Sequence, residues 1–109
     1  SRITSPEELE EYRGELADRF GPLPEPVERM LAREALKIEA AIWQIAEIYL
    51  EDRFLVFRYT HRARIEQLAK VSGGKLRVVD QESAYLRLPQ GITQPDAILD
   101  LVKSVLRPR

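Results

Sequence analysis

The 109-residue sequence contains no cysteine and a single histidine. The first absence excludes disulfides, thiolate zinc sites and cysteine nucleophiles, and one imidazole, His61, leaves little basis for a histidine-built metal or catalytic centre. No stretch approaches the roughly 20 apolar residues of a membrane span, and the sequence carries no signal-peptide pattern or lipidation motif, so a cytoplasmic protein that avoids membranes is expected. Nor does either charge sign dominate, with 17 Lys+Arg against 18 Asp+Glu. That balance argues against a dedicated polyanion binder. Nucleotide-binding motifs are missing as well: Gly73-Gly74-Lys75-Leu76 has neither the upstream glycine nor the following Ser or Thr of a phosphate loop and reads as a turn. We expect no catalytic residues, no cofactor and no metal.

What is present is the composition of one soluble domain over residues 1–109, with 44% apolar residues and a length that buries roughly 65% of the unfolded surface. The start at Ser1-Arg2-Ile3, without an initiator methionine, suggests a piece of a longer protein. The near-neutral total conceals a division. Residues 1–52 hold 13 acids and 6 bases (6 − 13 = −7), while residues 53–109 hold 11 bases and 5 acids (11 − 5 = +6). Internal pairing between the halves, or two unlike partner surfaces, would account for it.

Ser5-Pro6-Glu7-Glu8 opens a first helix, with Ser5 as cap, Pro6 in the first turn and Glu8 closing a capping box. Leu9, Tyr12, Leu16 and Phe20 then form one apolar stripe, which predicts packing of Leu16 and Phe20 on the next helix. Gly21-Pro22-Leu23-Pro24 turns the chain. A second helix is expected from about Pro26 to about Gln44, with Val27, Leu31, Ala35, Ile38, Ile42 and Ile45 on one stripe and Leu36 and Trp43 on another. Ile48-Tyr49-Leu50 and Phe54-Leu55-Val56-Phe57 predict a hairpin across Glu51-Asp52-Arg53. Thr60 is placed to cap a short helix carrying Ile65, Leu68 and Ala69, ended by Gly73-Gly74. Leu76 to Val79 and Tyr85 to Leu88 predict a second hairpin, and Pro95-Asp96 a last helix with Ile98, Leu99, Val102, Val105 and Leu106. The expected fold is α+β, in the order ααββαββα, with a small, mostly antiparallel sheet packed against helices.

Two patterns carry candidate function. Glu8, Glu11, Glu15 and Asp18 form an acidic row beside the first apolar stripe, with Arg19 at the boundary, an arrangement suited to gripping a basic partner. Glu15 and Asp18 also have the separation of an acid and base pair, although an exposed helix face needs no such role. The alternative is a nucleic-acid-binding module in the basic second half. It would use Arg58, His61, Arg62 and Arg64 around a helix start, where N–H groups and the dipole favour phosphate, with Lys75, Arg77 and Arg87 in the second hairpin. A plain helix start explains His61 equally well.

The stretch Leu9 to Leu31, LEEYRGELADRFGPLPEPVERML, with Glu15-Leu16-Ala17-Asp18-Arg19-Phe20-Gly21-Pro22-Leu23-Pro24 at its centre, resembles the start of the C-terminal domain of bacterial transcription-repair coupling factors. The resemblance implies a parent that is a multidomain, ATP-driven DNA translocase, which displaces stalled RNA polymerase and recruits the excision-repair protein UvrA. It implies for this fragment a non-catalytic, autoinhibitory role: packing on the UvrB-like N-terminal domain of the same chain and masking the UvrA-binding surface. On that likeness Glu15 and Asp18 match acidic residues that face arginines of the partner domain. Arg19 and Phe20 match the same block, with Phe20 expected mainly to pack, and Glu11 extends the row. RNA polymerase, UvrA and DNA would then be partners through the parent, and the fragment would be monomeric.

Overall fold

The computed structural model describes residues 3–107. Four helices and four strands follow in the order α1 (Pro6–Phe20), α2 (Glu25–Ile42), β1 (Ile45–Glu51), β2 (Phe54–Tyr59), α3 (Arg62–Val71), β3 (Leu76–Val78), β4 (Ser83–Arg87) and α4 (Pro95–Leu106). The fold is α+β in the expected order. The chain forms two compact units, the first ending at Glu39 and the second beginning at Ala40.

The first unit contains α1 and most of α2. Ser5 Oγ accepts from the Glu8 N–H at 3.1 Å, and Glu8 Oε1 accepts in return from the Thr4 N–H at 3.1 Å and from the hydroxyls of Thr4 and Ser5 at 3.2 Å. These bonds satisfy donors that a helix N-terminus leaves without partners. Glu8 is thereby held in its charged form, its pKa lowered first by the Thr4 N–H and then by the two hydroxyls. Gly21, at φ 80 and ψ −168, ends α1 in a backbone region restricted essentially to glycine. Pro24 then supplies the carbonyl that accepts from the N–H groups of Val27 and Glu28 and starts α2.

The second unit is built on a four-stranded sheet of order β1-β2-β4-β3, in which every pairing is antiparallel. The chain leaves β2 through α3, returns as β3, and β4 inserts between them. Leu55, Phe57 and Tyr59 of β2, Leu76 of β3, and Ala84 and Leu86 of β4 are buried. Their registers place them on one face, and with Ile65 and Leu68 of α3 and Val102, Val105 and Leu106 of α4 they make the core of this unit. The Trp43 indole N–H donates to the Leu106 carbonyl at 2.9 Å, tying the start of the sheet to the end of α4.

Several boundaries differ from the sequence expectation. The second helix stops at Ile42 rather than Gln44, because Trp43 and Gln44 form a turn and Gln44 takes a left-handed φ of 57. Ile45, expected on the helical stripe, is instead the first, buried residue of β1. The first hairpin is longer than its apolar cores suggest, and a register shift between Ile45 and Glu47 marks a bulge at Ala46. Asp52, at φ 56, makes the turn. His61, not Thr60, caps α3, while the Thr60 hydroxyl donates to the Gln44 carbonyl at 3.0 Å.

Candidate interaction surface

Helix α1 presents its acidic row to solvent. Glu11, Glu15, Asp18 and Arg19 are all exposed. Among the described residues the carboxylates of Glu11, Glu15 and Asp18 have no hydrogen-bond or ion-pair partner. Glu8, the fourth acid of the row, is consumed by the cap. The structure therefore brings together three free carboxylates on one helix face, next to Tyr12, which is 42% exposed.

The apolar stripe is only partly buried, which corrects the sequence expectation for Phe20. Leu9 is buried and Leu16 half-buried, but Phe20 is 70% exposed. Phe20 occupies the last helical position, after which the chain turns through Gly21, so the stripe continues past the point where α2 can cover it. The Arg19 guanidinium lies 5.4 Å from the centre of the Phe20 ring, a cation–π contact on the same exposed tip. The tip therefore offers acids, a cation and an aromatic ring to a partner.

Arg13 is the residue sequence reasoning missed. Its Nε and one terminal nitrogen donate to the two carboxylate oxygens of Glu28 at 2.9 and 2.7 Å, a two-pronged bond from α1 to α2. Hydrogen bonding to Arg13 holds Glu28 below its ordinary pKa of 4.5. The bond spans the turn from Gly21 to Pro24, a contact that the spacing of neither helix announces. The bond ties α1 to α2 without engaging Glu11, Glu15 or Asp18.

The basic cluster of the second half is not assembled as a phosphate site. His61 Nδ1 accepts from the Arg64 N–H at 3.2 Å as the helix cap, which is the plain reading of that residue. Arg62 pairs with Glu66 one turn along at 3.1 Å, and the Arg64 guanidinium donates to the Ile42 carbonyl at 2.9 Å. Arg58 pairs across the hairpin with Glu47 at 3.0 Å. Pairing between the halves is found for Arg58, through Glu47, but not at Thr60 to Arg64, where acids of the first half were expected to neutralise the bases: Arg62 meets Glu66 of the second half and Arg64 a backbone carbonyl. Local geometry decides the rest, because an i, i+4 acid is closer than any distant one.

Among the described residues no group of three His, Asp or Glu side chains is placed to hold a metal, and no helix is long and apolar enough to cross a membrane. The family model of the TRCF domain matches residues 1–69, almost two thirds of the chain. The chain belongs to the TRCF domain family. Its membership connects it with the transcription-repair coupling factors of transcription-coupled DNA repair. No curated protein matches the chain. Within the TRCF domain the match extends well beyond the stretch Leu9 to Leu31, through α1, α2, β1 and β2 and into α3.

Proposed function

We propose that this TRCF domain is the autoinhibitory C-terminal domain, spanning residues 1–109, of a cytoplasmic transcription-repair coupling factor. In this reading it catalyses nothing itself. Its α1 face packs on the UvrB-like N-terminal domain of an ATP-driven DNA translocase and masks the surface to which UvrA binds. RNA polymerase and DNA are reached only through that parent chain. The observation that carries the reading is the set of free carboxylates on Glu11, Glu15 and Asp18 beside the exposed Tyr12, Arg19 and Phe20. Such a surface suits arginines. Two charge-assisted contacts, desolvated in an interface, contribute on the order of 3 kcal/mol, about a hundredfold in a closed-to-open balance. That strength is enough to hold a repressed state and still be displaced by a competing partner.

The test is the double substitution Glu15→Ala, Asp18→Ala in the full-length parent. Both positions are exposed and, among the described residues, unpartnered, so the domain should stay folded, with stability changed by less than about 0.5 kcal/mol. The full-length variant should bind UvrA more tightly and hydrolyse ATP faster without polymerase. A folded variant as repressed as the unaltered parent would show that the acidic row is merely a solvated helix face.

A further inference from the structure

The sheet of the second unit has a core face and an open one. Successive side chains of a strand point to opposite faces. Phe54, Val56 and Arg58 of β2 therefore share the side away from the buried Leu55, Phe57 and Tyr59. The register sets Glu51, Tyr49 and Glu47 of β1 beside them in turn, and Arg87, Tyr85 and Ser83 of β4 on the other flank. Arg77 of β3 lies beyond Tyr85. We propose that this open face binds single-stranded nucleic acid, with Tyr49, Phe54 and Tyr85 as stacking surfaces and Arg77 and Arg87 as phosphate ligands.

The rings are available and held in place. Tyr49 is 38% exposed, while Phe54 and Tyr85 are half-buried and sit with centroids 5.5 Å apart at 53°. The Tyr85 hydroxyl donates to Glu51 at 3.3 Å, which anchors the ring by its tip. The cations are available too. Arg58 is matched by Glu47, but Arg77 and Arg87 are exposed and pair with no carboxylate among the described residues, and the Arg87 guanidinium stands 5.9 Å from the Phe54 ring centre. Both acids of the face are occupied, one by Arg58 and the other by Tyr85. The unit from Ala40 onward carries 11 Lys+Arg against 8 Asp+Glu (11 − 8 = +3), whereas the preceding unit carries 6 against 10 (6 − 10 = −4).

That chemistry favours a nucleic-acid strand over a protein surface. Val56, at the centre of the face, is 0% exposed between its tyrosine neighbours, so the centre offers a protein partner no aliphatic surface, and Val79, 52% exposed just beyond β3, lies at its edge. What it does offer are ring faces and guanidinium groups, and every unpaired base has a ring to stack on them. A duplex hides those base faces. Two unpaired arginines supply too little backbone attraction to hold one by charge alone.

The experiment titrates the 109-residue chain against a fluorescein-labelled oligothymidylate of about 15 nucleotides, within the span of single-strand sites, and reads anisotropy at low salt. Saturable binding is expected, with log K falling against log salt at a slope of about −1.4, as two phosphate contacts require on a single strand. Tyr49→Ala should weaken binding by about tenfold, the loss of one stacked base. Arg77→Gln, at an exposed position, should weaken it and flatten the salt slope by about half. Arg62→Gln on α3 should leave the affinity within about twofold. Circular dichroism melts of each variant separate lost binding from lost folding. Absence of binding at low salt overturns the proposal, as does a duplex of equal length binding more tightly, or equal loss in Arg62→Gln. Self-association in sedimentation that disappears in Tyr49→Ala also overturns it, and assigns the face to a second copy of the chain.

Discussion

Trp43 is the sole tryptophan of the chain, and its hydrogen bond to the Leu106 carbonyl joins residues 63 positions apart. Leu106 is the last residue of α4, so its carbonyl is one of those that no further turn of helix can satisfy. Trp43→Phe keeps a ring at the site and removes the donor. A typical intramolecular hydrogen bond has a net worth of about 0.5–1.5 kcal/mol when water can replace the lost partner, and about 1–3 kcal/mol when it cannot. Leu106 is among the most buried side chains of the unit, although its carbonyl lies at a helix end. The expected loss is therefore about 1–2 kcal/mol. For a unit of this size that lowers Tm by about 4–8 °C per kcal/mol. Trp43→Ala also removes the half-buried ring and should cost about 3 kcal/mol or more. Thermal melts by far-ultraviolet circular dichroism measure both variants, since the fluorescent reporter is lost with the residue. A Trp43→Phe protein melting within about 1 °C of the unaltered chain would refute the reasoning and make the bond an incidental contact.

Acid should loosen the first unit. Glu28 and Glu8 are both held below the ordinary 4.5, by Arg13 and by the Thr4 N–H respectively. Folding therefore gains from them above that value and loses the gain as pH falls through their folded pKa values. Melts should be flat from neutral pH to about 5 and fall below about 4.5, less steeply in Glu28→Gln; an unchanged Tm at about pH 3 would reject this. In a second comparison, Phe20→Ala should alter the stability of the isolated chain by under about 0.5 kcal/mol. Leu68→Ala, at a fully buried site, should cost about 2–5 kcal/mol. Equal denaturation midpoints for these two variants would contradict the burial assigned to them.

Read alone, the sequence determined the eight elements and their order. Their signals are local: Ser5 and Glu8 at a cap, Gly21 and Gly73-Gly74 at helix ends, and a change from helical to alternating spacing near residue 45. The acidic row was legible for the same reason, since residues three and four apart lie on one helix face wherever that helix sits. Burial was a different matter. Phe20 belongs to the apolar stripe by spacing, yet only the length and turn of the helix pair decide that the stripe outruns its cover. Arg13 with Glu28, and Tyr49 with Val56 and Tyr85, meet because of a hairpin and a strand order that periodicity does not encode. The basic cluster shows the same division. Its composition suggested a phosphate site, but Arg62 meets Glu66 one helical turn along, and the fold brings Glu47 to Arg58 and the Ile42 carbonyl to Arg64. Local spacing fixes which residues share a face, because backbone geometry repeats. Which faces meet, and which cations remain unpaired, depends on distances across the chain that only tertiary packing sets.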